Sequence, residues 1–275
     1  MRVDRIRSAD GAPIAVHTTG TGPGVVILHA GGVTQRHYHP LAEALEHRFT
    51  VHLYDRRGLP EAAPPGGDGT VATDLADLSA VLAHTGAEDL FGHGSGGFLA
   101  LRAALSLPLR RVAVFDPSLS VLGRPAADFL DPLEDAVRDG DHALALTLLD
   151  RGTQPDAVAA RLPLGLALPV NRILLRTPRG RARAELLPAT VRELRRIHEH
   201  DGPPGDYTPI TAEVLLAAGT RSPEHFAENC RALAEAIPHG QALIVPGASH
   251  DAPATAHNEF VRPISRFLAG LPVTG

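Results

Sequence analysis

The feature that most constrains this chain is a series of short runs that are apolar on both faces, each closed by turn-forming residues. Val25-Val26-Ile27-Leu28 closes on His29-Ala30-Gly31-Gly32, Val51 to Tyr54 closes on Asp55-Arg56-Arg57-Gly58, and Arg111 to Phe115 closes on Asp116-Pro117. A strand with one wet face alternates apolar and polar residues. A run that does not alternate must be covered on both sides, which a parallel sheet between helices provides. Helical periodicity fills the gaps. Val71, Leu75, Leu78 and Leu82 are spaced 4, 3, 4, as are Phe226, Cys230, Leu233 and Ile237, so each set lies on one helical face. A further pattern runs near residues 39–47, and Phe260, Ile264 and Phe267 mark a last helix.

Glu88 to Phe91, Val214 to Ala217 and Ala242 to Val245 complete the strand candidates, and residues 2–8 and 13–18 read as a hairpin about Asp10-Gly11. Alternation of this kind predicts an α/β fold with a mostly parallel, twisted sheet flanked by helices. Residues 119–207 break the rhythm with helical patterns at 131–138, 141–150, 155–162 and 188–200, separated by Pro and Gly. The expected organisation is a core of residues 1–118 and 208–275 with a helical cap of residues 119–207 inserted between two strands. A chain of 275 residues can bury roughly 75% of its unfolded surface, so it requires no staple.

Composition removes several classes of function. The 26 basic residues are all arginine. Schiff-base, pyridoxal phosphate and P-loop chemistry each need a lysine amine and are excluded. The single cysteine, Cys230, excludes an internal disulfide, a zinc ribbon and an iron–sulfur cluster. A net charge of -5 leaves no basic footprint for nucleic acid. The first residues lack the apolar core of a secretory signal, and the apolar stretch 162–170 is too short for a bilayer and holds two prolines. A cytoplasmic protein with no membrane partner is expected.

Two motifs could carry chemistry. Gly92, Gly94 and Gly97 satisfy G-x-G-x-x-G after a strand and before a helix, with Asp116 ending the next strand 19 residues later. That spacing is the dinucleotide fingerprint, but here it follows the third parallel strand rather than the first. The alternative is the strand–turn–helix that presents a nucleophile, G-x-nucleophile-x-G. His37-Tyr38-His39 and His198-Glu199-His200 are H-x-H pairs in helical or loop context with no third ligand at metal spacing. No metal site is expected.

Four landmarks occur in order: Leu28 to Gly32, Tyr54 to Gly58, Gly92-His93-Gly94-Ser95-Gly96-Gly97, and Pro246-Gly247-Ala248-Ser249-His250. With the helical insertion between them, the chain resembles the α/β-hydrolase family over nearly its full length. Elbows of that family look like G-H-S-x-G-G, so the resemblance puts Gly94 at the nucleophile position, where it supplies no hydroxyl. Ser95 lies one residue on, turned about 100° around the helix. The resemblance further implies His250 as catalytic base, Asp116 as its orienting acid, and the backbone N–H groups of Gly31 and Ser95 as the oxyanion hole. The loop position where the family often carries its acid holds Ser222. Tyr38 follows the oxyanion loop and is a candidate for the pocket wall.

A His–acid pair with two oxyanion donors and no nucleophile can still deprotonate a bound substrate and stabilise the anion formed. The leading expectation is therefore a cofactor-free enzyme of non-hydrolytic chemistry: C–C bond formation or cleavage, Michael-type addition, cyclisation or cofactorless oxygenation. The resemblance to that family implies a small hydrophobic substrate, of polyketide or quinone type. Hydrolysis of an ester, thioester or lactone by Ser95 or by His250-activated water stays open. So does a ligand-binding protein that has lost catalysis.

Overall fold

The computed structural model describes residues 1–57, 69–123, 126–154, 160 and 162–273. Strands Arg2–Arg7 (β1) and Pro13–Gly20 (β2) form the antiparallel hairpin expected about Gly11, whose φ of 85° suits the turn. Then come Gly24–Leu28 (β3), a 3-10 turn at Gln35–Tyr38, helix His39–Leu45 (α1), Thr50–Leu53 (β4), Val71–Thr85 (α2), Asp89–His93 (β5), Ser95–Ala104 (α3) and Arg111–Phe115 (β6). Four helices follow: Leu130–Arg138 (α4), His142–Thr153 (α5), Leu164–Leu174 (α6) and Pro178–His200 (α7). The chain closes with Glu213–Gly219 (β7), Glu224–Ala236 (α8), Gly240–Val245 (β8), Ala252–Thr255 (α9) and Asn258–Leu268 (α10).

The eight strands make one sheet in the order β1-β2-β4-β3-β5-β6-β7-β8. β2 pairs antiparallel with β1 and with β4, and every pairing from β4 to β8 is parallel. The double-sided apolar runs sort onto two faces as the two-residue period requires. Val26, Leu28, Leu90, Val112 and Val114 pack on one side with α2, α3 and α8. Val25, Ile27, Phe91, Ala113 and Phe115 pack on the other with α1 and α10. The strand carboxyl ends therefore share one edge of the sheet, where α/β folds place their sites.

Between β6 and β7 the helices build a separate apolar cluster. Leu133, Leu146, Leu187 and Val191 interlock there, Leu187 with 1% of its surface exposed. Burying each such side chain contributes about 1.5–3 kcal/mol. The helix expected at 188–200 starts ten residues earlier. Thr177 caps it, its hydroxyl accepting from Gly180 N–H, and Pro178 takes the first turn, where a missing N–H costs nothing. Pro188 is an interior residue, tolerated because Leu187 and Val191 on either side hold the helix in the cluster. α6 was not expected, since Pro169 lies inside it; it presents Leu166, Val170 and Ile173 outward. Ile237 caps α8 rather than joining it. Most of the helix expected at 155–162, and Gly58 in the turn after β4, lie outside the described residues. Among the described residues no helix is long and apolar enough to cross a membrane.

Candidate functional site

Gly94 is the whole connection between β5 and α3. Its φ of 55° and ψ of -121° fall where side chains are strained. The turn is held by Gly94 N–H donating to Phe115 O at 3.1 Å and Gly94 O accepting from Ser118 N–H at 2.9 Å. The neighbouring glycines serve strand–helix contact. A Cβ on Gly92 would lie 2.8 Å from Gly97 Cα, and one on Gly96 would strike the carbonyl of Leu28. Glycine spacing alone thus admits two readings, and here close packing accounts for it without a pyrophosphate.

Asp116 ends β6 with a φ of 43° and a fully buried side chain. Its Oδ1 accepts from Gly219 N–H at 3.1 Å, and its Oδ2 from the Ser222 hydroxyl at 2.5 Å and from His250 Nδ1 at 3.1 Å. Its side chain has no solvent exposure, so no face remains for a ribose. Ser222, read from sequence only as a missing acid, is a donor that orients the acid which is present. Three donors thus converge on the Asp116 carboxyl group.

His250, in the loop after β8, is 38% exposed in its side chain and faces a cavity of about 420 Å³ over the strand ends. Phe226 of α8 stacks on its ring at 5.3 Å between centroids and 15° between planes. The His93 ring lies 4.4 Å from it on another side. With Nδ1 given to Asp116, Nε2 is the nitrogen left for a ligand. Gly31, Gly94, Ser95, Ser118 and Glu193 also line this cavity. An apolar pocket of about 70 Å³ adjoins it through Ser118, Thr153, Leu194 and Phe226, with Phe129 and Ile197 deeper in its wall.

The loop after β3 is fixed by neutral groups. His29 Nδ1–H donates to Ala30 O at 2.8 Å, and its Nε2 accepts from Arg56 N–H at 2.9 Å. Burial, with the Arg56 charge second, pushes the His29 pKa down to about 3. Tyr38 hydroxyl accepts from Ala30 N–H at 2.8 Å and donates to His93 Nδ1 at 2.6 Å. Burial raises the Tyr38 pKa, and burial together with the His250 ring drives that of His93 well below its ordinary value. Tyr38 was expected on the pocket wall. With 2% of its surface exposed, it instead supports that wall from inside, because its hydroxyl is consumed in holding Ala30 and His93. Gly31 and Ser95 both line the cavity, and neither N–H has a protein acceptor among the described residues.

Ser95 Oγ is turned away from this line. It accepts from Arg56 Nη2 at 2.9 Å, and the same Nη2 lies 2.5 Å from Glu193 Oε1 on α7. Arg56, Glu193 and Ser118 were not singled out from sequence. The Arg56-Arg57 pair after a buried strand was a visible signal for the first; the others depend on contacts between distant segments. Of the H-x-H pairs, His37 Nδ1 accepts from Thr34 N–H and His39 bonds Gln35, while His200 Nδ1 donates to the Arg196 carbonyl within α7. Among the described residues no group of three or more His, Cys, Asp or Glu is placed to hold a metal.

Comparison with known proteins agrees with this architecture. The chain is 27% identical to a pimeloyl-[acyl-carrier protein] methyl ester esterase of Xanthomonas campestris over 94% of its length and 99% of that protein. It is also 27% identical to polyketide synthase ThaQ of Burkholderia thailandensis over 98% of its own length, though it spans only 13% of that protein. The structure of an alpha/beta hydrolase from Sphaerobacter thermophilus superposes with a TM-score of 0.76 at 25% identity, covering 96% of this chain and 100% of that one. A sequence model of the alpha/beta hydrolase family matches residues 25–263, and with the sheet order and the strand-end cavity this places the chain in the alpha/beta hydrolase family of enzymes.

Proposed function

We propose that this enzyme performs cofactor-free, non-hydrolytic chemistry, with His250 as general base, on a hydrophobic substrate bound between the sheet edge and the helices of residues 119–207. The observation that carries the reading is the side-chain-free turn at Gly94, facing the same cavity as a His250 ring already oriented by Asp116. In a covalent hydrolase that ring would take a proton from the elbow hydroxyl. With no hydroxyl at Gly94, and that of Ser95 held by Arg56, His250 Nε2 would act on the ligand itself. A proton would pass from an acidic C–H or O–H of the substrate to Nε2, and Asp116 would stabilise the imidazolium. The enolate or phenolate oxygen left behind would be met by the Gly31 and Ser95 N–H groups. Phe226 and the apolar side pocket suit a flat, unsaturated substrate, and the similarity to part of a polyketide synthase supports that class.

The hydrolytic alternative keeps one support, the similarity to a methyl ester esterase. Its structural candidates are Ser95, His250-activated water, and Ser118, whose Oγ lies 3.6 Å from where a Gly94 Cβ would stand. The test is deuterium exchange at the α-carbon of a flat ketone such as 2-tetralone, followed by NMR, alongside a fluorophosphonate probe. The wild type should exchange the ketone protons, and His250→Ala should slow exchange by about 10²–10⁴-fold, with no serine labelled. Undiminished exchange in His250→Ala, or labelling of Ser95 or Ser118, overturns the reading. Tight ketone binding with no exchange in the wild type would favour the ligand-binding alternative instead.

A further inference from the structure

A buried cation stands behind the cavity wall and is used by none of the chemistry above. The Arg56 side chain is 7% exposed, and its Nε has no hydrogen-bond partner among the described residues. Its charge is answered by the Glu193 carboxylate, which comes from α7 and not from the sheet. The second oxygen of that carboxylate packs on Gly31 so closely that a Cβ there would collide with it. One carboxylate therefore bridges a buried guanidinium and the face of Gly31, the residue whose N–H is the proposed oxyanion donor. Glu193 is also part of the cavity wall, and with Arg56 it lines two small voids of about 10 and 20 Å³.

We infer that Arg56 and Gly31 form an anion subsite, filled by Glu193 when no ligand is present and taken over by the substrate's own carboxylate or enolate oxygen. This deepens the proposed reaction and rests on the same cavity being its site. An arginine keeps its proton under all ordinary conditions, so a group that displaces Glu193 must itself bring negative charge. The other nearby carboxyl, on Asp74, is already engaged by Arg196 at 3.1 Å. A neutral carbonyl would leave the buried guanidinium unanswered, which selects against it. The ligand class is thus a flat hydrophobic organic acid, or a carbonyl compound held as its enolate, with its oxygen at Gly31 and its apolar body toward Phe226.

Binding tests this independently of turnover. Calorimetry with 2-naphthoate and its neutral counterpart 2-naphthamide compares the wild type, Glu193→Ala, and the double variant Arg56→Gln/Glu193→Ala. Removing Glu193 should strengthen naphthoate binding about tenfold, and the double variant should lose that gain. The amide should bind all three alike. Should the double variant fail to fold by circular dichroism, Arg56→Gln/Glu193→Gln, which keeps the side-chain volume at position 193, takes its place. Binding is read without turnover, so a failed proton-exchange experiment would leave this result standing. An unchanged naphthoate affinity in Glu193→Ala, a gain that survives loss of Arg56, or an equal gain for the amide each overturns the inference.

Discussion

Replacing Gly94 by serine tests the geometry of the site most directly, because it asks one backbone turn to do two measurable things. The turn has a φ of 55° and a ψ of -121°. A residue with a side chain held in so sparsely populated a region costs about 1–3 kcal/mol. The new Cβ would stand 3.0 Å from Ala30 Cβ, tighter than ordinary contact, and a comfortable 3.6 Å from Ser118 Oγ. Strain and crowding together set the expected loss for Gly94→Ser at about 2–3 kcal/mol. For a chain of this size each kcal/mol moves the melting temperature by roughly 2–4 °C, so scanning calorimetry should show a fall of roughly 5–10 °C. Ala30→Gly added to Gly94→Ser should return part of it by removing the Cβ contact.

The second readout is chemical. A hydroxyl at this turn would face His250, whose Nδ1 is already committed to Asp116, beside the N–H groups of Ser95 and Gly31. The variant should react with a fluorophosphonate at position 94 and release a burst of p-nitrophenol from p-nitrophenyl butyrate, while the wild type does neither. A folded Gly94→Ser protein that is as stable as the wild type refutes the strain argument. One that is destabilised but unlabelled refutes the claim that the turn aims at His250.

Two further outcomes follow from buried charge. His29 titrates near 6.5 when unfolded but only at about 3 in the folded chain, so below pH 6.5 the unfolded state binds the extra proton and stability falls as pH drops toward 3, by up to ~1.4 kcal/mol per pH unit; burial of His52 and His93 acts in the same direction. Urea midpoints at pH 7.5 and 5 should converge in His29→Gln relative to the wild type, and equal differences in both proteins would reject the assignment. Asp77 holds the buried Arg57 guanidinium through two bonds of 2.6 Å, with Asp10 on its other side at 2.5 and 2.8 Å, so Asp77→Ala should cost about 1.5–3 kcal/mol in chemical denaturation. Asp135→Ala, which breaks an exposed pair with Arg138, should cost under ~0.5 kcal/mol; similar costs for the two would contradict the role given to burial.

The parts of this molecule that are legible in sequence are those set by local periodicity. Val25 to Leu28 and Arg111 to Phe115 announce a sheet covered on both faces because every residue in them must find apolar cover, and they form the strands they predict. The elbow glycines are visible for the same reason: a sharp turn between strand and helix admits few residue types. What escaped is governed by contacts between distant segments. The start of α7 was misplaced because Pro188 reads as a breaker, and only its packing against α4 and α5 shows why it is tolerated. Arg56, Ser95 and Glu193 come from three separate segments that meet only in the folded chain. Nothing in the spacing of the glutamate says which cation it will answer.

The two strained positions at the strand ends bear differently on what the site does. Gly94 and Asp116 terminate neighbouring strands, and both have a positive φ, 55° and 43°. At Gly94 the residue type removes the strain and with it any side-chain chemistry. At Asp116 the chain bears the strain with a side chain in place, over-determined by Asp116 N–H donating to Ala217 O at 2.9 Å and by Gly219, Ser222 and His250 on its carboxylate. Strain of this kind persists where surrounding contacts insist on it. The acid also faces inward, with no solvent exposure of its own, so its effect on a ligand can only pass through the imidazole. Under the proposed function, a turn with no side chain beside an acid held against a histidine leaves the histidine, and not the turn, to meet the substrate. The backbone N–H groups of Gly31 and Ser95 follow from the course of the chain rather than from any side chain, so the same strand ends would hold an enolate as they would a tetrahedral oxyanion.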